Sequence, residues 1–131
     1  MNPAMVANLW RQALKVIAVA EKVLPVDRNS AVSRAYYAAF YAVSARFARD
    51  GKLFSRHSAI EAAVHRDLVK PGLWPVELGA RFSRLFALRL KGDYSYDEEI
   101  TSGDAASAIS FAWDIIRALS QEDPANFPLS D

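Results

Sequence analysis

SRAYYAAFYAVSARF, residues 33–47, places four aromatic side chains between positions 36 and 41 in a run otherwise dominated by alanine. At the helical period Tyr36, Phe40, Val43 and Phe47 fall on one face, the inward face of a helix expected over 27–50. Gly51 stands where that helix can end in the left-handed conformation. Tyr37 and Tyr41 are turned by about 100° per residue onto the neighbouring face, beside the small Ala38, Ser44 and Ala45. A helix that is apolar on two faces needs two sets of neighbours. Two readings are open: the Tyr37/Tyr41 face meets a second subunit, where tyrosine offers apolar area with a polar tip, or both faces are buried inside one domain.

The flanking sequence is helical by the same test. Asn2 and Pro3 have the character of an N-cap and a first-turn proline, and Ala13, Val16, Ile17, Ala20 and Val23 form an apolar stripe that must stop before Pro25. Ser58 and Glu61 have capping-box spacing for a third helix stopping at Pro71 and Gly72. Pro75 opens a fourth helix ending near Gly92, with Leu78, Phe82, Leu85 and Arg89 on one face. Thr101 and Asp104 repeat the cap spacing before a fifth, with Ile109, Ala112, Trp113 and Ile116 on one side. No strand-like alternation and no internal repeat appears, and the connections are short. The expectation is an all-α, antiparallel up-down helical bundle of four to five helices, one domain over 1–122 with a short polar tail over 123–131.

Composition narrows the function classes. At 131 residues and 52% hydrophobic content, the chain can bury a real core and does not have the composition of a disordered segment. It contains no cysteine, which removes disulfides, thiolate metal sites and thiol nucleophiles. It has no apolar run of the ~18 residues a membrane helix needs and no signal-peptide pattern, so a cytoplasmic protein is expected. The net charge of +1 conceals a division: residues 1–91 hold fifteen Lys and Arg against six Asp and Glu, a net +9, whereas residues 92–131 hold one Arg against nine acids, a net −8. Either the two parts neutralise each other or the basic part offers a surface to an anionic partner. Phosphate-cradling glycine motifs, a nucleophile elbow and metal-ligand spacings are absent, so no cofactor and no metal site is expected.

RLKGDYSY, residues 89–96, carries the functional reading. Arg89 continues an apolar helical stripe, and a charge in that position needs a partner or a wet cleft. It can cap the helix and pair with Asp93, or it can serve a site. Of the two histidines, His57 precedes the third helix and His65 lies within it, about two turns on.

SRAYYAAF at 33–40, RHSAI at 56–60, LVKPG at 68–72 and RLKGDYSY at 89–96, in that order over roughly residues 5–120, resemble the small prokaryotic branch of the HEPN superfamily. That resemblance implies a helical bundle that forms a homodimer, with the two arginine motifs across a shared cleft. It also implies a minimal nucleotidyltransferase as partner, in a toxin–antitoxin-like pair, and RNA or a nucleotide as ligand. In ribonucleolytic members an arginine is followed a few residues later by a histidine, and cleavage is metal-independent. Here Arg89 matches the arginine, but Tyr94 stands at the histidine position. An unperturbed phenol of pKa about 10 is a poor base near neutrality, so a weak or inactive endoribonuclease is expected. Carried over residue by residue, the site comprises Arg89 and Tyr94 as the catalytic pair, with Lys91 and His57 as further RNA- or nucleotide-binding groups. Tyr96 stands where two-component members carry a tyrosine that the nucleotidyltransferase modifies with AMP. The alternative is a non-catalytic HEPN dimer that binds a nucleotide or scaffolds a partner protein.

Overall fold

Pro25 falls in a four-residue connection, too short for the chain to do anything but fold back on itself, and this sets the first helix pair of the computed structural model, which describes residues 1–130. Helix α1 (Pro3–Val23) is capped by the Asn2 side chain, which accepts from the Met5 N–H. Helix α2 (Arg28–Arg49) is capped by Asp27, which accepts from Asn29 N–H. Ala13, Val16, Ile17 and Ala20 of α1 bury against α2 as expected. Gly51 ends α2 with φ of 77°, the left-handed value anticipated for it.

Helix α3 (His57–Ala63) differs from expectation. The Ser58–Glu61 box does not form; the helix begins at His57, Arg56 occupies the cap position, and no side chain caps it. It then widens into a π-helical turn, Val64–Val69. The physical reason lies on the next helix. At Gly79 of α4 (Val76–Tyr94) a Cβ would stand 2.5 Å from Val69 Cγ2 and 3.3 Å from His65 Cε1, so the wide turn lies against a helix surface that has no side chain there. Helix α4 also passes through Gly92 and ends at Tyr94, two residues later than the glycine suggests. Gly92 has no left-handed φ; its carbonyl accepts from Asn29 Nδ2 at 3.2 Å, which ties α4 to the start of α2.

Thr101 and Asp104 form the full reciprocal capping box at the head of α5 (Ser102–Glu122). The other four helices surround α2, which packs against α1, α3, α4 and α5. The described residues form an all-α bundle with no strand. Tyr36, Val43 and Phe47 lie fully inside it, as the periodicity requires. Phe40 is expected inward too, but is only half-buried, with the His57 imidazole of α3 stacked on its ring at 4.4 Å. The polar C-terminal stretch sends Phe127 to the core: its ring lies 5.0 Å from that of Trp10, whose Nε1 donates to the Pro128 carbonyl.

The charge division resolves largely within the chain. Asp104 pairs with Lys91 at 3.2 Å, Asp114 with Arg81 at 3.5 Å, Glu122 with Arg46 at 2.7 Å and Asp123 with Arg49 at 3.0 Å. No described helix is long and apolar enough to cross a membrane.

Candidate functional site

Arg89 emerges from the penultimate turn of α4, one face-position beyond the buried Leu85, and its side chain is 15% exposed. Its guanidinium carbon lies 5.3 Å from the centre of the Tyr36 ring and 5.2 Å from that of Tyr37. Both contacts are within cation–π range. The two rings meet edge to face, 5.4 Å apart. Asp93, one turn on, brings Oδ2 to 3.3 Å from Arg89 Nε. That pair is near but poorly aligned, since Nε is buried and makes no hydrogen bond.

His57 enters the same cluster from the first turn of α3. Its ring stacks on Phe40 at 4.4 Å, and its Nδ1 lies 2.8 Å from the Tyr36 hydroxyl. Burial and the neighbouring Arg89 charge hold the imidazole below its ordinary pKa of 6.5. Burial pushes the Tyr36 phenol well above its usual value, the Arg89 charge opposing only in part, so its hydroxyl keeps its proton. Phe82 and Phe86 complete the wall behind Tyr36. The result is a guanidinium and a neutral imidazole held by shared aromatic rings.

A groove of about 490 Å³ opens beside this cluster, bordered by Asn29, Ser30, Ser33, Arg34, Tyr37 and Asp93. A second, of about 590 Å³, lies on the other side of Asn29 and Asp93 and includes Gly92, Tyr96, Glu98 and Glu99. Arg34, Ser30 and Ser33 are the groups sequence reasoning missed. They project from α2 one to two turns before Tyr37, a spacing legible only once Tyr37 is known to border the groove.

The other named residues lie elsewhere. Lys91, two positions and hence about 200° round from Arg89, turns to Asp104 at 3.2 Å and Glu98 at 3.9 Å. Tyr94 is 66% exposed at the end of α4, and Tyr96 is 97% exposed. His65 pairs its Nε2 with Ser83 Oγ at 2.7 Å, on the π turn. Arg89 and His57 are therefore brought together, while Lys91 and His65 are engaged with other partners. Among the described residues no three His, Asp or Glu side chains converge as a metal-ligating group.

Tyr37, Phe40 and Tyr41 remain half-buried along one side of α2. Next to them a cavity of about 260 Å³ is lined by Met5, Leu9, Tyr41, Leu53 and Phe54 among others, and Leu53 is 67% exposed. The second face of α2 is thus only partly covered by the chain's own helices.

A family model described as the HEPN domain matches residues 6–122. A Thermotoga maritima protein named UPF0332 protein is 42% identical over 91 residues, which is 68% of this chain and 69% of that protein. The family match over residues 6–122 contains every residue of the Arg89 cluster.

Proposed function

The chain belongs to the HEPN family, and from that premise we propose that it is the HEPN component of a two-component, toxin–antitoxin-like system. Two copies form a homodimer, RNA or a nucleotide binds through its phosphate at Arg89 in the shared cleft, and a minimal nucleotidyltransferase is the partner. The observation that carries this reading is the Arg89 guanidinium, 15% exposed and set against two tyrosine rings beside a groove, with Asp93 as a poorly aligned carboxylate partner. A largely desolvated cation without a well-aligned acceptor is costly, and a phosphate on its exposed side would offset that cost. Phosphate suits it, because guanidinium groups offer strong charge-assisted donors to phosphate oxygens. Arg34 on the groove wall adds a second cation. The half-covered face of Tyr37, Phe40 and Tyr41 supports the homodimer, as apolar area at that position is what a second copy would cover.

Tyr96, on an exposed acidic loop, is accessible for AMP transfer, and an anionic adduct near Arg89 would compete for the cleft. Tyr94 has a donor hydroxyl but no partner that would make it a base.

The test is fluorescence anisotropy with a short single-stranded RNA, alongside light scattering at micromolar concentration. A dimer whose RNA affinity falls at least tenfold in Arg89→Ala supports the reading. A strictly monomeric chain, or RNA binding indifferent to Arg89, overturns it.

A further inference from the structure

We propose that the groove of about 490 Å³ between α1, α2 and the end of α4 is a base-selective subsite that takes a guanine of the bound RNA strand. This deepens the RNA-binding reading and rests on it. Arg89 does not line the groove, but it contacts Tyr37 and Asp93, and both of those do.

Val19 and Val23, one turn apart on α1, and the half-buried Tyr37 of α2 give the groove an apolar surface. Every nucleobase has a π-face that can stack on an aromatic ring, so Tyr37 provides affinity for a base and leaves the choice of base to polar groups. Two of those are already engaged. Asn29 Nδ2 donates to the Gly92 carbonyl at 3.2 Å, and Ser30 Oγ donates to Asp27 at 2.6 Å.

Two charged groups remain. Arg34 enters no ion pair among the described residues. Asp93 has only the poorly aligned Arg89 Nε, 3.3 Å from its Oδ2. An acid in the last turn of α4 also opposes the helix dipole, so its charge is not there to support the helix. Asn29 and Asp93 border the neighbouring groove as well, whereas Arg34, about 7.5 Å further along α2 than Asn29, borders this one alone. A ligand lying between the two charges needs hydrogen-bond donors at one end, a flat apolar body and an anion at the other. Base edge, ring and phosphate come in that order in a nucleotide.

Asp93 sets which base is taken. An ionised carboxylate only accepts hydrogen bonds, so it favours an edge with two adjacent donors. Guanine alone of the four RNA bases has one, its N1–H beside the N2 amine. Adenine and cytosine place a ring-nitrogen lone pair beside their amine, and uracil flanks its N3–H with two carbonyl oxygens, so each turns a lone pair toward the carboxylate. A polar site rejects such a mismatch more strongly than an apolar pocket does. Arg34 meets a phosphate of the same strand, which adds affinity without reading sequence.

The experiment measures, by fluorescence anisotropy, the affinity for short RNA strands with guanosine, adenosine or inosine at one position in a uridine run. Expected is a preference for guanosine over adenosine of at least about fivefold, the lower end of what a paired contact to a base edge gives. Inosine, which lacks the N2 amine, should lose most of it. Asp93→Asn should bind the guanosine and adenosine strands alike. Arg34→Ala and Tyr37→Leu should weaken all strands by similar factors, Arg34→Ala with a smaller salt dependence. A wild type that binds guanosine no better than adenosine or inosine overturns the subsite, and so does a preference that survives Asp93→Asn. The inosine comparison needs no variant, so it decides the matter even if Asp93→Asn does not fold. Binding that depends on Arg89 but shows no base preference overturns the subsite and leaves the Arg89 reading standing. A guanosine preference that follows Asp93, in a chain whose binding Arg89→Ala leaves unmoved, supports the subsite and overturns Arg89 as the phosphate anchor. A wild type that binds no strand overturns both.

Discussion

Replacing Arg89 with alanine should cost this chain its ligand while leaving it folded, and the magnitude separates a site arginine from a structural one. Two cation–π contacts at a mostly desolvated position contribute about 1–2 kcal/mol each, and the pair with half-exposed Asp93 adds about 0–1 kcal/mol. Against this stands Nε, whose burial without an acceptor costs about 1–3 kcal/mol and disappears with the side chain. The net loss is about 1–2 kcal/mol. For a chain of this size one kcal/mol moves the melting temperature by about 3–4 °C, so Arg89→Ala should melt about 4–7 °C lower. Arg46 is the internal comparison. It is 4% exposed and holds Asp50 and Glu122 at the ends of α2 and α5. Removing it breaks two charge-assisted bonds from a buried guanidinium but leaves both carboxylates partly exposed and paired with Arg49, at about 2–4 kcal/mol and so about 7–14 °C. Thermal denaturation of both variants, with RNA anisotropy, is the assay. If Arg89→Ala loses as much stability as Arg46→Ala, Arg89 is a structural group and the functional reading of its unpaired donor is wrong.

Gly79→Ala gains about 1 kcal/mol in helix propensity but drives a methyl to 2.5 Å from Val69 Cγ2, an overpacking cost of about 1–3 kcal/mol. Its melting temperature should fall by a few degrees, and the double variant with Val69→Ala should be less destabilised than the sum of the single ones; additive losses would mean the contact is relieved elsewhere. Asp104 is held below the ordinary carboxylate value of 3.8, first by the Thr101 backbone N–H and then by Lys91, and Asp123 likewise by the Asn126 side chain and Arg49. A depressed folded-state pKa gives stability that is complete above 3.8 and lost as pH falls further, so Asp104→Asn should flatten part of the acid limb of a melting-temperature curve between about pH 4 and pH 2; an unchanged curve would remove the cap from the pH response. Incubation with a genomically neighbouring nucleotidyltransferase, ATP and magnesium should place an AMP adduct on the 97% exposed Tyr96, read by peptide mass spectrometry; adducts undiminished in Tyr96→Phe would rule that residue out.

What could be read from the sequence was what depends on neighbours along the chain. Asn2, Gly51 and the Thr101–Asp104 box act within a turn of their own position, and each performs as its spacing indicates. The errors occur where a distant element decides. The π turn at 64–69 needs a bare surface on α4, and α4 outlasts Gly92 because Asn29, sixty-three residues earlier, takes its carbonyl. Ser58 and Glu61 have the spacing of a box, yet the helix starts ahead of them, at His57, where the imidazole reaches Tyr36.

The cleft follows the same division. Arg89 was legible because a cation on an apolar stripe is locally anomalous, whereas Lys91 enters only through the resemblance and, a two-residue step round the helix from Arg89, pairs with Asp104. The partners of Arg89 arrive from two other helices. The aromatic run at 36–41 that marked α2 as having two apolar faces turns out to divide between them, Tyr36 entering the core and Tyr37 staying at its edge, and Arg89 lies against both rings. The edge that leaves Tyr37 and Phe40 half-covered also leaves His57 within reach of solvent, so the residues whose burial is incomplete are the ones that can meet a ligand.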